Sequence, residues 1–323
     1  MSITTYGGMR LLGGTANPAL AERIAREIGI TPTPMEVKRF ADGEIDVKIA
    51  DSVRGQDVFV VQPTSPPANE HAMELFIILD ALRRASAARI TPVIPYFGYA
   101  RKEKKTQPRD PITAKLMANF IQAAGASRVI TVDLHAEAIQ GFFDIPVDAL
   151  TAVKILGNHV LERHGREVVV VSPDVGGTAR ARALASFLGE AASIAIIDKR
   201  RPRDDHVEMN RVIGDVEGRR CVLIDDLIST GGTLVAASSA LRREGAAAVD
   251  VVATHGVLSG GALERLHEAP IDGIAFTDTI PLGRPAADHG APTDRVPILS
   301  VAPLVAEAIV RVHEGRSVSE LFR

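Results

Sequence analysis

Near-continuous apolar runs, each leading through a loop into a helical stretch, constrain the fold of this chain more than any other feature. Val58 to Gln62, Val129 to Val132, Val168 to Val171, Ile194 to Ile197 and Cys221 to Ile224 are rich in β-branched residues and lack the polar alternation of a half-exposed strand. Such runs read as strands of mainly parallel sheets covered on both faces. Met9 to Leu12, Ile90 to Ile94, Val249 to Ala253, Gly273 to Thr277 and Ile298 to Val301 extend the series. Between them lie helical segments: Ala19 to Ile28 stopped by Gly29, Asn69 to Arg84, Ile112 to Ala124 between Pro111 and Gly125, Ala179 to Leu188, Leu234 to Glu244 stopped by Gly245, Gly261 to His267, and Val305 to His313. Val37 to Phe40 and Ile45 to Ile49 flank Ala-Asp-Gly-Glu as a hairpin, with Gly43 where a positive φ is needed. The helix from Asn69 is apolar on every side, which predicts burial on more than one face and a subunit contact.

At 323 residues, against roughly 100–200 per domain, two domains are expected. Both halves carry an apolar strand, then Pro and Gly ahead of an Arg, a helix, and an apolar strand ending in Asp; Ile90 to Asp133 matches Val168 to Asp225 in this sense. The boundary falls near Leu150 to Lys154, giving domains at 1–152 and 153–303, with 304–323 packing back on the first. A net charge of −3 excludes bulk-charge binding of nucleic acid, so any polyanion site is local. The single cysteine, Cys221, sits in an apolar run, which fits a reducing cytoplasm. No 18-residue apolar span or signal-peptide core is present, so no membrane role is expected.

Ligands of open α/β sheets gather outside the carboxyl ends of strands. Arg101, His135, Asp174, Lys199 and Asp225 each follow an apolar strand, so they can converge. The strand at Cys221 to Ile224 leads into Asp225, Asp226 and then Ser229-Thr-Gly-Gly-Thr233 before a helix. Glycines and a helix N-terminus turn backbone N–H groups toward phosphate, while two carboxylates repel it and instead suit sugar hydroxyls or a hydrated metal ion. The pattern points to a sugar phosphate; helix capping alone needs neither the second acid nor both glycines. Two basic runs, Arg101 to Lys105 and Lys199 to Arg203, are solvated surface loops, a nucleic-acid patch, or clamps for a phosphate-rich small molecule such as a nucleoside triphosphate, and their place at strand ends favours the clamp. Asp198 to His206 is too charged for a core and is expected as an exposed, mobile loop; Leu282 to Thr293 is expected as a solvent loop. His135 with Asp133, and Asp174 in Pro-Asp-Val-Gly-Gly, could hold a hard cation through one or two protein groups and waters.

Phe40-Ala-Asp-Gly-Glu44, Asn69-Glu-His-Ala-Met-Glu-Leu75, Tyr96-Phe-Gly-Tyr-Ala-Arg101, Asp133-Leu-His135, Gln140-Gly-Phe-Phe-Asp144, Ser172-Pro-Asp-Val-Gly-Gly177, Lys199-Arg-Arg201, Asp225-Asp226 with Thr230-Gly-Gly-Thr233, and Ser317-Val-Ser-Glu-Leu-Phe322 occur in this order. Together they resemble the ribose-phosphate diphosphokinase family over essentially the whole chain. The resemblance implies an α/β fold of two similar domains of the type I phosphoribosyltransferase fold, each a mainly parallel sheet flanked by helices. It implies transfer of the β,γ-diphosphoryl group of ATP to the 1-hydroxyl of ribose 5-phosphate, with release of AMP and Mg²⁺ as cofactor. By the same resemblance Phe40 stacks on adenine, Asp42 and Glu44 accept from its amino group in a loop lent by a neighbouring subunit, and Arg101 with Lys102 faces the nucleotide. His135 and Asp174 match metal positions, and Gly176 and Gly177 the diphosphate loop. Asp225 and Asp226 match the ribose hydroxyls, and Ser229, Thr230, Gly231, Gly232 and Thr233 the 5-phosphate. Lys199 and Arg201 match the catalytic pair of a closing loop. Ser52, Arg54, Ser317, Ser319 and Phe322 match positions that bind phosphate or ADP as regulators, in a homo-oligomer, a hexamer built from dimers.

Two residues depart from the family pattern. Ser229 stands where Asp is usual, which keeps a hydroxyl for phosphate and removes an acceptor near the sugar; Lys102 stands where Gln is usual and puts a cation beside the nucleotide. A phosphoribosyltransferase would use the Asp225 to Thr233 loop without an adenine loop or Lys199 and Arg201. A non-catalytic regulatory homologue would have no need of His135, Asp174, Lys199 and Arg201 together.

Overall fold

The structure is a computed structural model that describes residues 6–200, 209–282 and 296–322. The chain forms two compact units, one of Met1–Thr151, Thr279–Pro281 and Val301–Arg323, the other of Ala152–Asp278 and Leu282–Ser300. In the first, β1 (Met9–Gly13), β4 (Asp57–Val61), β5 (Arg89–Ile94), β6 (Val129–Val132) and β7 (Val147–Leu150) form a parallel sheet in the order β1-β4-β5-β6-β7. Helices α1 (Pro18–Ile28), α2 (Ala68–Arg84) and α3 (Thr113–Ala124) connect the strands. Strands β2 (Met35–Arg39) and β3 (Ile45–Ile49) stand apart as an antiparallel hairpin. In α1, the Asn17 side chain accepts from Leu20 N–H, and Gly29, the expected stop, ends the helix at φ 81°.

The second unit begins with α4 (Val153–His164), then β8 (Val169–Ser172), α5 (Thr178–Leu188), β9 (Ser193–Arg200), β10 (Met209–Ile213), β11 (Arg220–Ile228), α6 (Gly232–Arg243), β12 (Ala248–Gly256), α7 (Ala262–Glu268), β13 (Gly273–Thr277) and β14 (Ile298–Leu299). Its seven-stranded sheet runs β10-β9-β8-β11-β12-β13-β14, parallel except for β10. Alternate residues of one strand feed opposite cores: Cys221 and Leu223 pack with the α6 residues Leu234 and Leu241, whereas Val222 and Ile224 pack with α4 and α5 through Leu156 and Leu184. Covering both faces is what makes these strands apolar throughout.

The internal repeat is real, and its register differs from the one suggested by sequence. The element order β1-α1-β2-β3-β4-α2-β5-α3-β6-β7 recurs as β8-α5-β9-β10-β11-α6-β12-α7-β13-β14. Thus β8 corresponds to β1, not β5. The Pro, Gly and Arg signals mark loops at strand ends in general and do not report which strand precedes them. The last helix, α8 (Ala302–His313), belongs to the first unit and packs on α1 as α4 packs on α5. Both α4 and α8 end in a histidine that reaches a buried aspartate at the amino end of a strand. His313 Nδ1 lies 2.7 Å from Asp57 Oδ2, and His164 Nε2 lies 3.3 Å from Asp250 Oδ1. An arginine completes each cluster, Arg89 on Asp57 through Nε at 2.7 Å and Arg220 on Asp250 at 2.6 Å.

Several boundaries moved. Strand β9 continues through Asp198, Lys199 and Arg200, because β10 supplies an antiparallel partner in the register Arg211 to Asp198, Asn210 to Lys199 and Met209 to Arg200. The expected loop therefore starts later, and its part from Arg201 to His206 lies outside the described residues, as does 283–293 of the expected solvent loop. Helix α4 and strands β7 and β10 were not anticipated, since α4 mixes Gly157, Asn158 and Glu162 among its apolar residues and β7 and β10 alternate or carry polar positions. Helix α2 buries Leu75, Ile78, Leu79 and Leu82 on one face and leaves Met73 exposed, beside a core that also contains Ile121 of α3.

Asp57 is fully buried and held by Arg89 and His313. Replacing it with alanine leaves a buried guanidinium without its counter-ion, so Asp57→Ala is expected to cost about 3–5 kcal/mol in urea unfolding. Unchanged unfolding would show that the cluster does not anchor α8.

Candidate active site

In the first unit, Phe40, Asp42 and Glu44 form the tip of the β2–β3 hairpin. Phe40 N–H donates to the Glu44 carbonyl at 2.8 Å, Gly43 N–H to the Phe40 carbonyl at 2.9 Å, and Glu44 N–H to Asp42 Oδ1 at 3.2 Å, with Gly43 at φ 94°. The turn is thus locked from within. Phe40 is 57% exposed, so more than half of this large apolar residue is left uncovered. Arg39, at the base of the tip, bonds Glu70 of α2 at 2.5 Å and fixes the hairpin to the helix.

After β5, the chain turns sharply at Gly98, where a Cβ would lie 2.4 Å from the Thr64 carbonyl oxygen. Phe97 is buried edge-on against Phe143, so the motif is anchored by its apolar member and presents Arg101 and Lys102 at the surface. Lys102 reaches Asp110 at 3.2 Å. Asp110 also accepts from Thr106 and Gln107, and the Thr106 hydroxyl, then Lys102, hold its carboxyl down at about 2. Lys102 therefore has a structural partner that would restrain it from reaching freely toward a nucleotide. Beyond β6, Asp133 adopts φ 40° and donates its N–H to the Leu150 carbonyl at 2.8 Å, Leu134 is buried, and His135 is exposed.

The second unit gathers the remaining described positions. Strand β8 lies directly beside β11, in the register Leu223 to Val171. The loop after β8 is closed on itself: Ser172 Oγ donates to the Asp174 carbonyl at 2.6 Å and Gly177 N–H to Asp174 Oδ1 at 2.9 Å. A Cβ on Gly177 would come 2.8 Å from Ser172 Oγ, so the tight turn needs glycine there. Asp174 keeps its second oxygen for a cation, which fits a magnesium-type site built from few protein groups and waters. Among the described residues no cluster of three or more His, Cys, Asp or Glu has metal-binding geometry.

Strand β11 runs further than its apolar stretch, to Ile228, because β12 continues to pair with it through Leu227 to His255 and Ile228 to Gly256. Asp225 and Asp226 thereby lie within the strand, where the sequence suggested its end. Their side chains face Arg180 of α5, whose Nη1 is 3.2 Å from Asp226 Oδ1 and 3.7 Å from Asp225 Oδ1. Sequence reading passed over Arg180, although it closes the Asp174-Val-Gly-Gly-Thr-Ala-Arg180 run. Burial, then the neighbouring Asp226 carboxylate, pushes Asp225 up to about 8, against which Arg180 pulls down. At neutral pH the pair therefore holds a proton and can both accept from and donate to hydroxyls.

Ser229 to Gly231 link β11 to α6, with Gly231 at φ 78° as the cap. Arg265 of α7, a second residue the sequence did not single out, donates to the Thr230 carbonyl at 2.8 Å and to the Gly260 carbonyl at 2.7 Å. Ser259 N–H donates to the Ser229 carbonyl at 2.9 Å. These bonds turn the Ser229 and Thr230 carbonyls back into the protein, and the loop runs straight into the amino end of α6. A glycine-bearing loop opening a helix in this way is the kind of element that suits an anion, and it forms the candidate anion cradle. Lys199 is placed by its backbone in β9, and Arg201 lies outside the described residues. Ser52 and Arg54 precede β4, with Arg54 donating to Ser86 Oγ at 3.3 Å; Ser317 accepts from Ser319 N–H at 3.2 Å after α8, and Phe322 ends a 3-10 turn.

Two parallel sheets, each bearing Gly-bearing loops and acids at strand carboxyl ends, define the type I phosphoribosyltransferase class of fold. Two family models match: the N-terminal domain of ribose phosphate pyrophosphokinase over residues 9–125 and the phosphoribosyl synthetase-associated domain over 203–323. The chain is 52% identical to ribose-phosphate pyrophosphokinases of Caldanaerobacter subterraneus subsp. tengcongensis and Granulibacter bethesdensis, covering 97% of this chain and 98% and 100% of theirs. The crystal structure of phosphoribosylpyrophosphate synthetase from Mycobacterium smegmatis superposes with a TM-score of 0.88 at 43% identity, covering 96% of this chain and 100% of that one. The chain belongs to the ribose-phosphate pyrophosphokinase family.

Because Asp225 titrates near 8 when folded and at its ordinary 3.8 when unfolded, the native state holds the extra proton between those values. Stability should therefore fall as pH rises from about 4 to about 8 and level off above. Asp225→Asn should remove that slope. Melting temperatures of both proteins measured across this window, if parallel, would rule out the raised carboxyl.

Proposed function

We propose that the chain transfers the β,γ-diphosphoryl group of ATP, as one unit, to the 1-hydroxyl of ribose 5-phosphate. The single observation that carries this reading is the acid pair on β11 held beside the anion cradle at Ser229 to Thr233, which suits a molecule with hydroxyls and a phosphate at fixed spacing. Family membership makes the chain a diphosphate-transferring enzyme; the donor, acceptor atom and residue roles are our reading.

In this mechanism the cradle amides and the Ser229, Thr230 and Thr233 hydroxyls hold the 5-phosphate, while Asp225 and Asp226 accept from the ribose hydroxyls. Phe40 stacks on adenine, Asp42 and Glu44 accept from its amino group, and Arg101 neutralises phosphate charge, with Lys102 at the rim. The 1-hydroxyl oxygen forms a bond to the β-phosphorus as the bridge to the α-phosphate breaks, releasing AMP and the hydroxyl proton. Lys199 and Arg201 stabilise the charge that spreads over the transferring oxygens. Gly176 and Gly177 let the loop backbone approach the diphosphate. His135 and Asp174 would hold Mg²⁺, which when bound neutralises triphosphate charge and orients its oxygens.

The exposed apolar face of α2 and α3, with Met73, Leu116 and Phe120 outermost and Phe76 edge-on to Phe120, supports a homo-oligomer, for which we propose a hexamer built from dimers. An exposed Phe40 supports a loop lent to a neighbouring subunit. Ser52, Arg54, Ser317, Ser319 and Phe322 are proposed to bind phosphate or ADP as regulators. Among the described residues no helix is long and apolar enough to cross a membrane. Burial pushes the Cys221 thiol up to about 11, a buried reduced thiol that fits our assignment to the cytoplasm.

Incubation with ATP, ribose 5-phosphate and Mg²⁺ should release AMP, and Lys199→Ala with Arg201→Ala should abolish release while the protein stays folded. ADP as product would mean γ-phosphoryl transfer and overturn the proposal; no turnover at all would favour a regulatory homologue. Phe120→Glu should lower the assembled mass in light scattering, because a charge buried in an apolar contact is costly. An unchanged mass would place the subunit contact elsewhere.

A further inference from the structure

At the amino ends of the strands of the second unit, opposite the site above, a cavity of about 70 Å³ is lined by His159, Arg163 and His164 of α4, Asp250 of β12, and Asp272 and Gly273 at the start of β13. A water needs roughly 10–15 Å³ on the same measure, so the space suits several waters or one tetrahedral oxyanion. Gly273 keeps it open: a Cβ there would lie 2.5 Å from Asp250 Oδ1 and 3.8 Å from Arg163 Nη2.

The charges are unevenly committed. Asp250 is occupied on both oxygens, by Arg220 at 2.6 Å and His164 at 3.3 Å. Asp272 accepts from Arg242 at 2.6 Å and from Val249 N–H at 2.7 Å. Among the described residues Arg163 has no carboxylate within ion-pair distance, and His159 lies one helical turn before it on the same face of α4. The repeat supplies an internal comparison. Helices α4 and α8 are both twelve residues long and both end in the histidine of an Asp-Arg-His cluster. Counted from that histidine, Arg163 corresponds to Val312 and His159 to Ala308, and both of these are buried and apolar. Arg89 of the first cluster is covered by the Tyr6 ring at 4.3 Å. One unit has thus sealed this end of its sheet with apolar side chains, and the other has placed basic groups around a cavity.

We propose that this cavity binds a phosphate-sized oxyanion, either inorganic phosphate or the terminus of a small phosphomonoester, through Arg163, His159 and His164. Asp250 and the α4 C-terminal carbonyls oppose an anion, but Asp250 is already neutralised by Arg220, and Arg163 contributes a full charge against the half-charge of a helix end. Burial, foremost, lowers both histidines from their ordinary 6.5; Arg163 adds to this for both, His164 for His159 and Arg220 for His164, while Asp250 opposes it for both and Glu162 for His159. Asp272 also faces the cavity. Near neutral pH the bound anion must therefore recruit a proton to an imidazole. Affinity should fall by up to about tenfold per pH unit above pH 6.5.

Equilibrium dialysis of the full chain against radiolabelled inorganic phosphate tests this without reference to turnover. Arg163→Ala should bind one phosphate fewer per chain than the native protein at pH 6, with unchanged circular dichroism and melting; His159→Ala should weaken the same site and flatten its pH dependence. Unlabelled glycerol 3-phosphate that displaces this phosphate identifies a site open to phosphomonoesters, and failure to displace it identifies one specific for the inorganic ion. Equal stoichiometry in native protein and Arg163→Ala at both pH 6 and pH 8 would mean that the cavity holds only water, and would overturn the proposal.

Discussion

The parallel ladder of β11 between β8 and β12 is the constraint on which the second unit depends. Pairing with β8 places the end of β11 beside the Ser172 to Gly177 loop, and pairing with β12 carries the strand past its apolar run to Ile228. Both acids are therefore held in a ladder. Consecutive strand residues ordinarily point to opposite faces, so what joins these two carboxylates is Arg180, which lies within 3.7 Å of Asp225 Oδ1 and 3.2 Å of Asp226 Oδ1. Burial, then the Asp226 carboxylate, raises the Asp225 carboxyl, and Arg180 opposite the pair offsets part of that rise. The same ladder, by running to Ile228, leaves only Ser229 to Gly231 before the start of α6.

Fold class and most strands were legible because burial on both sheet faces demands apolar runs, and Val168 to Val171 or Cys221 to Ile224 have no other stable use. What escaped was decided by partners distant in sequence. The extension of β11 depends on His255 and Gly256, and the extension of β9 through Asp198 to Arg200 on β10. In each case backbone pairing overrides a side-chain pattern that reads as loop. Helix α4 was missed because its mixed composition hides a buried face of Val153, Leu156 and Val160.

The candidate site divides in the same way. Residues whose chemistry is displayed by type and spacing, Asp225, Asp226 and the Ser229 to Thr233 loop, stood out in the sequence. Arg180 and Arg265 did not, because an arginine on a helix is ordinary and only the fold shows one facing an acid pair and the other fixing the Thr230 carbonyl. Conversely, Lys102 looked like a free cation for a nucleotide and is drawn onto Asp110. Ser229 remains a departure that the backbone tolerates, since its carbonyl, not its side chain, accepts the Ser259 N–H that fixes the loop.

The repeat gives these differences a common frame. The Phe40 tip joins β2 to β3, and the stretch beginning at Arg201 joins β9 to β10, so the two loops proposed to meet the nucleotide fall at corresponding positions in the element order of the two units. One hairpin stands apart from its sheet and carries an aromatic ring with two acids; the other is fused to its sheet and carries cations. A free hairpin can project a ring beyond its own unit, whereas a fused one keeps its base fixed close to the carboxyl end of β8 and the Asp174 loop. Duplication of one α/β framework, followed by divergence at its hairpin, is sufficient to produce an aromatic, acidic tip in one unit and a basic stretch in the other from the same topological element.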